Sequence, residues 1–220
     1  MVGLSRATKV LWALAIPANA AALYVVFALT PVEVQMGAVQ KIFYFHVPSA
    51  MMGYLMVFLA FLFSLLYLVK EDPLYDQLAF ATAEVGWVFI TVVLVTGPIW
   101  GRSAWGKWWV WEPRLTTALI LWLLYSAYFL LRLFSRHDAR AARIAAVLAV
   151  VAFFDVPVVH QAIKWWGSVV HPKKVVLDLP MKRAFALCAL AVFLLAAALA
   201  LTRVWVGLLE ERRAARLTEE

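Results

Sequence analysis

Between Trp100 and Thr116 the chain reads WGRSAWGKWWVWEPRLT. Trp100, Trp105, Trp108, Trp109 and Trp111 crowd into this stretch, and Glu112, Pro113 and Arg114 follow. Indole is large, flat and amphipathic, so a cluster of this density can stack against another flat ring. The plainer alternative is an aromatic belt where membrane spans meet water. Belts place about one or two aromatics at each helix end, whereas these indoles share one connecting segment. Gly106 gives that segment a flexible point, and Pro113 and Arg114 lead into the next apolar run.

Four histidines accompany it. His46 lies in FYFHVPSA, His160 in VPVVHQAIKWWGS, His171 in WWGSVVHP and His137 in FSRHDAR. A single loop histidine is most simply a solvated or hydrogen-bonded residue. Neutral imidazole is also a metal ligand, and two of them complete a low-spin haem site. An aromatic platform, two or three histidines and the cations Arg102, Lys107, Arg114, Lys173 and Lys174 together suit a flat, hydrophobic, dianionic metal macrocycle. Arg114, fixed between Pro113 and a helix start, is the expected partner of a propionate. Glu112 can orient Arg114, an indole N–H or a histidine. Trp165 and Trp166 either close a second wall or anchor an interfacial stretch. His137 has no such company.

The elements that must position these residues are membrane spans. Hydrophobic residues make up 65% of the 220 and charged residues 15%, with a mean hydropathy of +0.86. A soluble chain of this size has too little interior for so much apolar surface. A span needs about 20 apolar residues, and six runs qualify, at about 9–29, 47–69, 79–99, 115–134, 141–160 and 183–208. The first is too long for a cleaved signal. The expected fold is an all-α, six-helix transmembrane bundle forming one domain over 1–220. Six spans put both termini on one side. Loops 30–46, 100–114 and 161–182 then share the other side, with His46, His171 and the tryptophans.

The formal charge is +7. In a membrane protein this points to lipid headgroups or an anionic ligand rather than nucleic acid. Basic residues are only slightly commoner on the terminal side, which favours termini in the cytoplasm. The outward loops therefore carry an unusual number of cations, and a bound anion is one reason for them. Glu84 and Asp155 lie within apolar runs. Each is either functional or a packing group, Asp155 by bonding backbone freed by Pro157. Cys188 is the only cysteine, which excludes CxxC redox chemistry and thioether attachment of haem. No GxxxxGK[ST] occurs, so no ATPase is expected.

At this point the residues match a family. WGKWWVWEPRLT resembles the tryptophan-rich "WWD" signature, WGxxWxWDxRLT, of haem-handling proteins in cytochrome c maturation. Trp105, Gly106, Trp109, Trp111, Arg114, Leu115 and Thr116 stand at signature positions. Glu112 replaces the usual Asp, keeping the charge and adding a methylene. FYFHVPSA and KWWGSVVHP resemble the flanking-histidine segments. With six spans, the chain is similar throughout to the haem exporter protein C (CcmC) family. Larger relatives carry more spans and more histidines.

The resemblance implies a haem site on the periplasmic face of the bacterial inner membrane. His46 and His171 would be the metal ligands of a b-type, non-covalent haem. Trp105, Trp108, Trp109, Trp111, Glu112 and Arg114 would form the cofactor cradle, and His160 does not carry over. It also implies delivery of haem to the chaperone CcmE, with the CcmA/CcmB ABC transporter and the small membrane protein CcmD as further partners, and no catalytic residue. Two other classes remain open. A secondary transporter would show paired broken helices and a polar midplane site. A b-type electron-transfer cytochrome would set histidines inside helices at two depths.

Overall fold

The computed structural model describes residues 2–134, 138–168, 170–171 and 175–219. His137, Lys173 and Lys174 lie outside them. Apolar runs satisfy their backbone groups internally by folding as helices. α1 (Val2–Tyr24) continues into a π-helical turn, Val25–Leu29. A 3-10 turn, Ala38–Ile42, leads into α2 (Phe43–Lys70). Then come α3 (Pro73–Trp105), α4 (Pro113–Phe134), α5 (Ala139–Phe153), α6 (Asp155–Trp166) and α7 (Leu179–Glu219). Six stretches are long and apolar enough to cross a membrane, α5 and α6 counting as one. The chain is a multi-pass membrane protein with an all-α fold.

Local signals set the helix boundaries. The Asp72 side chain accepts from the backbone N–H of Leu74 at 2.9 Å with Pro73 behind it, and Asp138 accepts from that of Arg140 at 2.8 Å. Both are N-cap arrangements. Gly106 and Gly167 end α3 and α6 at φ +77°, a conformation that favours glycine. Small residues let the spans approach closely. Ala145, Ala149 and Ala152 of α5 pack into one cluster with Val57, Ala83 and Leu121. α1 rests on α7, where Trp12 Nε1 donates to Thr202 Oγ1 and Asn19 Nδ2 to the Ala191 carbonyl, each at 2.9 Å.

The helices outrun the apolar stretches, and three consequences correct the sequence reading. α2 begins at Phe43, so His46 is helical rather than at a loop end. Phe43 and Tyr44 are buried, and Phe43 packs on Phe185 and Trp100, which draws this stretch into the bundle. α3 continues to Trp105, past Pro98. The fifth span breaks at Phe154, and α6 carries His160, Trp165 and Trp166 on a helix. Pro157 falls in the first turn of α6, and its missing N–H leaves the Phe153 carbonyl without an i+4 donor, at the point where the helix breaks. Among the described residues Asp155 Oδ2 is buried without a hydrogen-bond partner.

The bundle has two distinct ends. At one, the turn after α2 meets the start of α5 through the Glu71–Arg143 pair, and Asp76 binds Arg132 at 2.7 Å. Nearby, Glu84 binds Arg203 at 2.6 Å in a cleft of about 970 Å³ between α3, α4 and α7. At the other end lie the start of α2, the tryptophan segment and the chain after α6.

Candidate functional site

His46 is half-buried on α2 and faces α3. Its Nδ1 lies 2.9 Å from Thr96 Oγ1, and Thr96 itself donates to the Val92 carbonyl at 2.7 Å. With the hydroxyl proton engaged, the Thr96 oxygen accepts and His46 Nδ1–H donates. That tautomer, assigned from the hydrogen-bond network, leaves Nε2 as a free lone pair. The Trp100 ring meets the imidazole edge-on at 5.7 Å.

The tryptophan segment divides in two. Trp105 folds back over Gly101, where a Cβ would stand 2.8 Å from its ring, and lies 6.3 Å from the His171 ring. Trp109 and Trp111 meet edge-to-face at 5.7 Å and, with Leu94, Pro98 and Leu119, line an apolar groove of about 300 Å³. Trp108 is exposed and joins neither group. Trp165 and Trp166 are both exposed at the end of α6 and meet edge-to-face at 5.5 Å.

Glu112 is only 6% exposed, and it joins the segment to the chain after α6. Its Oε1 accepts from His171 Nδ1 at 2.6 Å, and its Oε2 accepts from Ser168 Oγ at 2.6 Å. The same Ser168 oxygen accepts the backbone N–H of His171 at 2.8 Å and that of Val170 at 3.2 Å. Burial pushes the His171 imidazole below its ordinary pKa. The Glu112 bond opposes this, the Arg114 charge adds to it, and the net direction is down. A neutral His171 donating through Nδ1 also presents Nε2 as a free lone pair.

Arg114 lies within electrostatic reach of both His46 and His171. Among the described residues it forms no ion pair. Among the described residues the indole N–H groups of Trp100, Trp105 and Trp109 are buried without an acceptor, an uncommon state that calls for an explanation. Among the described residues the site thus combines two free imidazole lone pairs, three unpartnered donors and one unpaired guanidinium. That set fits a metal macrocycle with anionic arms.

The model of the "Heme exporter protein C" (CcmC) family matches residues 2–219. The chain belongs to that family. It is 38% identical to "Heme exporter protein C" of Bradyrhizobium diazoefficiens over 148 residues, which are 67% of this chain and 56% of that protein. With the Paracoccus denitrificans protein of the same name it shares 34% over 199 residues, 87% of this chain and 83% of the relative. With a "putative cytochrome c biosynthesis ccmC-like mitochondrial protein" of Marchantia polymorpha it shares 31% over 157 residues, 71% of this chain and 66% of the relative. The chain therefore spans little more than half the length of the Bradyrhizobium relative.

In this CcmC-family chain the described structure brings His46, Trp100, Trp105, Glu112, Arg114 and His171 to one end of the bundle. His160 is exposed on α6 and forms no side-chain bond among the described residues. Thr96 and Ser168 were not legible as site residues. Hydroxyls are common in spans and turns, and only the fold shows that these two hold the histidine network.

Proposed function

We propose that this chain binds haem as cargo at the tryptophan-bearing end and passes it to a carrier during cytochrome c maturation. The observation that carries this reading is the pair of imidazoles, His46 and His171. Each is fixed through Nδ1 by an acceptor of its own, so each keeps Nε2 for iron. Trp105, Trp109 and Trp111 supply flat apolar surface, and Trp108 adds an exposed ring apart from them. Arg114 and the buried indole N–H groups receive the propionates. Binding is non-covalent and b-type, because the one cysteine, Cys188, is buried within α7. CcmE is the proposed recipient, and CcmA/CcmB and CcmD the proposed companions. The site faces the periplasm from the bacterial inner membrane, with both termini in the cytoplasm.

Absorption spectra of the purified protein test this. His46→Ala and His171→Ala are each expected to abolish or shift the haem Soret band, with partial recovery on adding imidazole. His160→Ala should retain it. If removing His160 destroys the band while removing His171 leaves it intact, the ligand assignment is wrong.

A further inference from the structure

The two histidines are held by chemically different partners. His171 Nδ1 donates to a carboxylate, Glu112, which is itself 6% exposed and fixed from its other oxygen by Ser168. His46 Nδ1 donates to a neutral hydroxyl, Thr96, whose own proton is committed to the Val92 carbonyl. A carboxylate pulls the Nδ1 proton toward itself and loads charge onto the ring. The opposite nitrogen then becomes a stronger donor to a metal. A hydroxyl has no such charge to give, so it fixes the His46 tautomer and ring plane without strengthening the lone pair. Charge-assisted hydrogen bonds are also roughly twice as strong as neutral ones, so His171 is held to its partner more firmly than His46.

We propose that the two ligands are unequal: His171 is the retained ligand, and His46 is the one that yields when haem leaves. This rests on the haem reading above. Iron with two axial imidazoles has no vacant axial position, so a carrier offering its own donor must first replace one of them. The bond to give way is the weaker, the one whose imidazole leans on Thr96. Glu112 then acts as a positioning residue through His171, and Thr96 through His46. The inequality gives the transfer a fixed order. His46 opens one axial face while His171 keeps hold of the other, so the cargo is not shed into the lipid between owners.

Full-length protein in nanodiscs, titrated with ferric haem, tests the order. His46→Gly should keep haem with affinity lowered less than about tenfold, as a complex with one protein ligand. His171→Gly should lose at least about a hundredfold. Adding Glu112→Gln to the His46→Gly protein should weaken binding by a further 10–100-fold, the range typical of losing a metal ligand's hydrogen-bond partner. Adding it to the His171→Gly protein should change little. A merely structural role for Glu112 would weaken both backgrounds alike. In the otherwise unchanged protein, Glu112→Gln should raise the haem midpoint potential more than Thr96→Val does, with Glu112→Asp and Thr96→Ser restoring parent behaviour. Equal losses from the two glycine variants, or the reverse order, overturn the proposal while leaving haem binding intact. A parent protein that shows no haem spectrum overturns the haem reading itself.

Discussion

Ser168 donates to Glu112 at 2.6 Å across 56 residues of chain, and the same hydroxyl oxygen accepts the backbone N–H of His171 at 2.8 Å. One serine thus fixes both the carboxylate that orients a candidate ligand and the backbone that carries that ligand. Glu112→Ala should weaken haem binding 10–100-fold. Ser168→Ala removes the bond to Glu112 and the acceptor of the His171 and Val170 N–H groups, each a bond of about 1 kcal/mol, and should cost at least about fivefold. Glu112→Asp keeps the charge and should bind within a few-fold of the parent. Haem titration ranks the three, and parent-like binding by Glu112→Ala would remove the carboxylate from the site.

Gly101 is where Trp105 crosses its own helix. A Cβ there would stand 2.8 Å from the Trp105 ring and 3.1 Å from the Lys107 carbonyl oxygen, so the ring must move. Gly101→Ala should destabilise the fold by about 1–3 kcal/mol and displace Trp105 from His171. Thermal unfolding reads the first effect, and quenching of tryptophan emission by haem reads the second. Unchanged values in both would show that Trp105 has another resting place.

Glu84 binds Arg203 within the bundle at the end away from the histidines, and Glu210 is Arg203's second carboxylate at 3.8 Å. Removing one member of such a pair leaves a charge poorly compensated, whereas removing both does not. Both groups are partly exposed to the cleft, so the cost is moderated. Glu84→Gln should destabilise by about 1–2 kcal/mol, and Glu84→Gln with Arg203→Gln should recover part of it. Unfolding temperatures in nanodiscs decide this. Haem affinity should not change, and a loss there without a stability change would tie the cleft to the cargo.

The orientation in the membrane is checked by accessibility. Ser103 is exposed on the last turn of α3, and Arg212 is exposed near the end of α7. A cysteine at 103 should react with an impermeant thiol reagent applied from the periplasm, and one at 212 only after the membrane is opened. The native Cys188 is buried and should stay silent. Ser168 does not serve as a probe, because its hydroxyl is bonded to Glu112. The reverse pattern would place the histidines in the cytoplasm.

Six spans were legible because apolar run length is a direct physical requirement of crossing a bilayer. Their ends were not. His46 looked like a loop residue because Pro48 follows it closely, yet the buried rings of Phe43 and Tyr44 carry the helix upstream of the proline. The broken fifth span was hidden in the same way: its hydropathy continues across Phe154 while its hydrogen bonding does not. Within the candidate site, the tryptophans, Glu112, Arg114, His46 and His171 stand out in the sequence by type and spacing. The division of the indoles into a pair beside the histidines and a pair over a groove does not. It depends on where α3 stops, at Gly106, and on Trp105 turning back over Gly101.

The span between Glu112 and Ser168 also has a meaning in time. Synthesis proceeds at about 5–20 residues per second, so the 56 additions that lead from Glu112 to Ser168 take roughly 3–11 s. Throughout that interval the nascent chain already holds α1 to α3, His46 and all five indoles of the segment, while Glu112 waits for both of its partners. On the proposed reading, the His46 half of the site is therefore made first and the His171 half is clasped onto it later. A ribosome stalled before Ser168 would leave a chain that holds His46 while the Glu112 carboxylate lacks both of its partners.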